Sequence, residues 1–286
     1  MSSSNSNGIK KLAITGIVFC IALIAATIII AVNCTSDKES LRDKAIVEFE
    51  RANYEKAEEL FNQSLEEKQW FSSSMDSDTK VYIAECTLKR GDYPRALELF
   101  NELLSDEHAD KEFVQGRIEF ADAMDTFINQ KDYNSAATKL ENLIAKGDNS
   151  LNIYLGACYG NNGEGDKMIE CFNKYTEEFG MNSYIAAQLA SYYVGIEDYA
   201  TASDYIQQGI YSGDDKYFYL LDYNKAVILE RQKDYEGAYA IISDLHLAYP
   251  DNKDFEKEYD FLYSRINIDE EPVNPGNTIE EHDIEE

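Results

Sequence analysis

Hydrophobic positions follow two different patterns along this chain. From Leu12 to Val32 it reads LAITGIVFCIALIAATIIIAV, 21 residues without a charge, close to the length that crosses a hydrocarbon core of about 30 Å. This run predicts a transmembrane helix over residues 12–33. It exceeds the apolar region of about 7 to 15 residues usual in a cleaved leader, so a retained anchor is expected. Beyond it a different pattern recurs: Asn or Asp, then Tyr, then Ala three residues and a large apolar residue seven residues after the tyrosine. The copies are Asn53-Tyr54 with Ala57 and Phe61, Asp92-Tyr93 with Ala96 and Phe100, and Asp132-Tyr133 with Ala136 and Leu140, followed by Asp198-Tyr199 with Ala202 and Ile206, and Asp234-Tyr235 with Ala238 and Ile242. A degenerate copy has Gly165 with Met168 and Phe172.

Residues at i, i+3 and i+7 share one helix face, so each tyrosine marker predicts the start of a helix whose alanine lets a neighbour approach closely. The Asn or Asp before the marker can cap that helix, and Pro94 in a first turn costs no intrahelical bond. From Tyr54 the markers are spaced by 39, 40, 32, 34 and 36 residues, which suits a helix–turn–helix repeat. A small residue stands nine positions before most markers, at Ala45, Ala84, Gly156, Ala190 and Ala226, and predicts a first helix in each unit; Met124 interrupts the series. The stretch Gln69–Asp76 lengthens the first interval, and its Trp70 and Phe71 read either as an exposed docking tip or as a helix-end cap. Phe255, Tyr259, Phe261, Leu262 and Ile266 predict a terminal capping helix. From Asp269 onward eight acidic residues, no Lys or Arg and two prolines predict a disordered tail. The expected organisation is a polar leader over 1–11, the span over 12–33, a linker over 34–37, a repeat domain with its cap over 38–267, and an acidic tail over 268–286.

Leu155-Gly156 with Tyr159, and Gly91-Asp92-Tyr93 with Ala96 and Phe100, resemble the two helix signatures of the tetratricopeptide repeat family, and Pro250 resembles its closing proline. The likeness runs over roughly residues 38–250. It implies an all-α fold, a right-handed α-solenoid of about six helix pairs with a capping helix, and protein binding rather than catalysis. In that family first-helix residues line an inner groove. The positions so implied are Arg42, Ile46 and Phe49, then Val81, Glu85 and Leu88, then Asp125 and Asn129, and further along Ile153, Asn161, Tyr184, Ser191, Tyr223, Val227 and Arg231. Their mixture of apolar and polar side chains suits a peptide or partner helix. Arg42 and Ile46 stand where a subset of the family places the Lys and Asn of a carboxylate clamp, so acidic chaperone tails are not the expected ligand.

Charge narrows the partners. The chain has 26 basic and 54 acidic residues, a net charge of −28, which repels phosphate backbones and anionic headgroups and favours a basic partner over nucleic acid. Lys10 and Lys11 precede the apolar run, whereas Asp37, Lys38, Glu39, Arg42 and Asp43 nearly cancel after it. The amino terminus is therefore expected in the cytoplasm and the repeat domain outside it. Signal cleavage giving a secreted domain and lipidation of Cys34 are the other readings, although Asn33 stands where a small residue would precede a lipidated cysteine. The five cysteines form no Cys-x-x-Cys pair; Cys158 and Cys171 read as buried thiols or as a disulfide across one helix pair. Only His108, His246 and His282 occur, and no phosphate-loop, zinc-protease or nucleophile-elbow motif is present. Neither enzymatic activity nor a metal or cofactor is expected. The function read from the sequence is a single-pass, membrane-tethered scaffold or adaptor for a protein or peptide. The alternative is a chaperone-like holdase serving a translocation or envelope-assembly machine.

Overall fold

The second helix of every pair begins at its marker residue. The computed structural model describes residues 37–69 and 72–267; the leader, the 12–33 span, most of the linker, Trp70, Phe71 and the tail lie outside the described residues. Among the described residues every regular element is helical, and no helix is long and apolar enough to cross a membrane. The pairs are α1 (37–50) with α2 (Tyr54–Glu66), α3 (Ser73–Lys89) with α4 (Tyr93–Leu103), and α5 (Lys111–Asp125) with α6 (Tyr133–Ala145). Then come α7 (Asn152–Asn161) with α8 (Gly165–Phe179), α9 (Ser183–Gly195) with α10 (Tyr199–Tyr211), and α11 (Phe218–Arg231) with α12 (Tyr235–Ala248); α13 (Lys253–Ile266) follows as the cap. The chain divides into two compact units, one ending at Leu143 and the other beginning at Ile144.

The turn inside each pair shares one backbone feature. The residue two places before each marker has positive φ: Ala52 60°, Gly91 81°, Lys131 55°, Gly163 76°, Glu197 65° and Lys233 68°. This left-handed residue lets the next N–H reach back to the helix end, as in Asn53 N to Glu48 O at 2.9 Å, Asp198 N to Tyr193 O at 2.9 Å and Asp234 N to Leu229 O at 2.9 Å. Glycine takes this conformation without the steric cost of a Cβ, yet four of the six turns lack it. Replacing Ala52, Lys131, Glu197 or Lys233 by Gly is expected to stabilise the chain by about 0.5–1 kcal/mol each, the left-handed penalty less the greater entropy of glycine. Thermal melts of the four single variants check this; lower melting temperatures would contradict it.

Aspartate caps the second helices as the pattern predicts: Asp92 accepts from Arg95 N at 3.2 Å, Asp132 from Ser135 N at 3.1 Å, Asp198 from Thr201 N at 3.1 Å and Asp234 from Gly237 N at 2.9 Å. Asn53 departs from the expectation. Its side chain makes no cap, because its Nδ2 donates to Glu48 Oε2 at 2.8 Å, on a carboxylate that Lys56 Nζ also reaches at 3.2 Å.

The cores follow from the small residue of the first helix and the large one of the second, sixteen positions apart. Ala45 and Phe61 share one cluster, Ala84 and Phe100 another, Ala190 and Ile206 a third, and Ala226 and Ile242 a fourth. Gly156 meets the Phe172 ring so closely that an added Cβ would lie 2.6 Å from it. Met124 breaks the series for a geometric reason. Residues Thr126–Gln130 form a π-helical turn at the end of α5, which inserts one residue before the marker. The small position moves from nine to ten residues ahead of Tyr133, where Ala123 is fully buried. Cys86, Cys158 and Cys171 are buried thiols; burial pushes Cys86 and Cys158 up to about 12, so these two are poor nucleophiles at neutral pH.

Candidate partner-binding groove

In the first unit the three first helices, α1, α3 and α5, frame an open groove of about 1100 Å³. Its aromatic wall is built from the pair cores outward. Phe61 stacks on Tyr82 at 5.1 Å, Tyr82 meets Phe49 edge-on at 5.4 Å, and Phe49 meets Tyr54 at 5.5 Å. Val81 and Phe113, the latter 45% exposed, add apolar surface.

Two ion pairs knit the three helices together. Arg42 of α1 bonds Asp78 of α3 while its guanidinium lies over the Tyr82 ring at 5.8 Å. Glu85 of α3 accepts two bonds from Arg117 of α5, at 2.5 and 2.7 Å, the bidentate geometry that suits guanidinium and carboxylate. Arg117 in turn sits over Phe113 and Phe120, at 6.0 and 5.3 Å. These charges are therefore engaged within the protein, and Phe49, Val81 and Phe113 offer the apolar anchors of a lining that is otherwise largely polar. Among the groove residues Arg42 Nε and Gln69 Oε1 are buried without a hydrogen-bond partner.

Of the positions expected to line a groove, Arg42, Phe49, Val81 and Glu85 come together here. Ile46 packs instead against the Ala45–Phe61 cluster. Leu88 is only 4% exposed and belongs to the core shared by α3, α4 and α5; the outward line continues through Lys89, which lines the groove. Asp125 accepts from Asn129 Nδ2 and Gln130 Nε2, both at 2.7 Å, bracing the π turn. Asp78, Phe113 and Arg117 were missed by sequence reasoning. The small-residue spacing anchors each first helix on its core, and in α5 that anchor is shifted by the π turn. His108 lies in the α4–α5 turn at the groove, His246 lies on α12, and among the described residues no group of His, Cys, Asp and Glu is placed to hold a metal ion.

In the second unit the expected positions are scattered into other contacts. Ile153 packs on the Phe172–Leu189 cluster, and Asn161 donates to Ala157 O at 2.8 Å. Tyr184 meets Tyr217 at 5.1 Å, and Tyr223 meets Phe255 at 5.6 Å. Burial is the first cause that raises the Tyr223 hydroxyl above its ordinary value. Val227 is half-buried, while Ser191 and Arg231 are exposed. On α13, burial first, then the Glu230 carboxylate and a hydrogen bond with it, hold Glu258 above the usual carboxylate range, with Arg231 opposing. A carboxyl whose folded pKa exceeds its unfolded value, about 4.3, contributes stability below that pH and loses it as pH rises through the folded value. Glu258→Gln is accordingly expected to melt higher than the native chain at neutral pH and to lose the advantage below about pH 4. A pH series of melts checks this; a pH-independent difference would contradict it.

Residues 42–112 match the tetratricopeptide repeat family, the segment that runs from α1 into α5 and carries most of the groove residues. No curated protein matches the chain. Among solved structures, PilF of Pseudomonas aeruginosa aligns over 82% of this chain and 99% of its own at 17% identity, with a TM-score of 0.54, a likeness of fold. The TPR2AB domain of yeast Sti1, solved as a complex with pHSP90, aligns over 80% of this chain and 85% of its own at 15% identity and a TM-score of 0.33. The TPR domain of P58(IPK) aligns over 80% and 79% at 15% identity and 0.30.

Proposed function

We propose that this chain is a membrane-tethered, non-catalytic scaffold that holds a peptide or helix of a protein partner in the groove of its first unit. The observation that carries the reading is the groove itself: apolar side chains from Phe49, Val81 and Phe113 line it, while its arginines are neutralised by Asp78 and Glu85. Such a surface grips through apolar anchors and shape, with polar contacts setting register. The family match over residues 42–112, which include Phe49, Val81, Asp78 and Glu85, supports protein binding. The tether rests on the uncharged run from Leu12 to Val32, which would raise the local concentration of a bound partner at the membrane.

Val81→Ser with Phe113→Ser tests the groove without emptying a core. Crosslinking in native membranes followed by mass spectrometry is expected to recover the partner at least about tenfold less well from this variant, the effect of losing about 1.4 kcal/mol. Undiminished recovery from a variant that melts like the native chain would remove the proposal. Competition by unrelated unfolded chains would favour a holdase over a dedicated scaffold.

A further inference from the structure

We propose that one edge of the second unit is a separate docking surface for a basic, amphipathic segment of a protein partner. The helices α8, α10 and α12 all end on this edge, and each ends in exposed apolar side chains: Phe179 is 47% exposed, Tyr211 82% and Leu247 82%, with Ile210 and Tyr249 beside them. Hydrogen bonds and ring contacts bring the successive turns together. Asn149 Nδ2 donates to Glu178 Oε2 at 3.0 Å, Ser183 Oγ donates to Asp214 Oδ2 at 2.8 Å, and the Tyr219 and Tyr249 rings lie 5.2 Å apart. The exposed apolar ends therefore gather at three successive turns of one edge, Tyr211 and Leu247 twelve residues after their markers and Phe179 fourteen after Gly165, and exposed apolar side chains gathered on one edge mark an interaction surface. Twelve residues after the markers of the first four pairs stand Glu66, Ser105, Ala145 and Glu177, so an exposed apolar residue at that position is not a requirement of the repeat.

Charge identifies the occupant. Each apolar end is followed or preceded by an exposed acid, Glu177, Asp215 and Asp251, on a chain of net charge −28. A second copy of the chain or an anionic lipid surface would be repelled, whereas a segment alternating apolar and basic residues would satisfy both features. Aromatic rings on this edge already accept a cation: Lys216 Nζ lies 5.3 Å from the Tyr217 ring centre, the geometry in which a partner's lysine or arginine would gain from Tyr211 or Tyr249.

The test uses the full-length chain in phosphatidylcholine nanodiscs, with empty nanodiscs as the blank and a labelled amphipathic helix of lysine and leucine as the probe. Binding that exceeds the blank and weakens with added salt is expected. The triple variant Phe179→Ser, Tyr211→Ser, Leu247→Ser should lower affinity at least about tenfold, and so, independently, should Glu177→Lys, Asp215→Lys, Asp251→Lys. The groove variant Val81→Ser, Phe113→Ser should bind the probe as the native chain does. The proposal is overturned if the serine variant binds within about twofold of the native chain, if a glutamate–leucine helix binds equally well, if the signal follows empty nanodiscs, or if the groove variant alone abolishes it.

Discussion

Phe172→Ala is expected to cost the second unit about 3–5 kcal/mol, the range for emptying a fully buried aromatic position. Phe172 is 0% exposed and sits against Gly156 so closely that α7 and α8 meet through it. The alanine variant leaves a cavity between the helices that glycine on the facing side cannot fill. Gly156→Val should destabilise for the opposite reason, by about 1–3 kcal/mol of overpacking. Because the two changes act on one contact, the double variant should lose less than the sum of the two single losses. Native-state hydrogen exchange on the amides of α7 and α8 reads the opening of this pair locally, which suits a repeat array better than a single global transition. Strict additivity would show that the ring and the glycine do not share a contact.

Lys38→Ala should be the most damaging single change at the start of the repeat domain. Lys38 is 1% exposed, with its Nζ 2.7 Å from Asp76 Oδ1 and donating to Glu67 O at 2.9 Å. Its own carbonyl accepts from Ser64 Oγ at 2.9 Å, so one residue of α1 ties the end of α2 and the first turn of α3. Removing one partner of a buried pair leaves the other charge uncompensated; Asp76 keeps 29% exposure, which brings the expected loss to about 2–4 kcal/mol. Lys38→Met combined with Asp76→Leu removes both charges and should cost less. Denaturant midpoints of the three proteins decide this, and a single variant as stable as the double would refute the role given to the ion pair.

The repeat architecture was legible because its signals are local. A tyrosine with alanine and a large apolar residue on one face placed the first residue of five second helices, and the degenerate copy at Gly165 placed the sixth. Two features escaped for physical reasons. The π turn after Asp125 depends on backbone hydrogen bonding that no side-chain period announces, and it moved the small residue of α5 from position 124 to Ala123. The groove residues Asp78 and Arg117 are fixed by their partners on neighbouring helices, Arg42 and Glu85, so their role exists only once α1, α3 and α5 stand side by side. Lys38 shows the same limit: in the sequence it belongs to a run of flanking charges after the apolar span, and in the fold it turns inward. The acidic composition pointed to basic partners, but only the structure lines up Phe179, Tyr211 and Leu247 on one edge.

Site-specific photocrosslinking tests the central claim most directly. A photoreactive phenylalanine analogue at Val81, inside the groove, is compared with the same analogue at Glu59, exposed on α2, each in the whole chain expressed in its own cells. The account predicts a discrete protein adduct from position 81 that is absent from position 59. Equal adducts from both positions, or none from position 81 when the partner is recovered by other means, would contradict it.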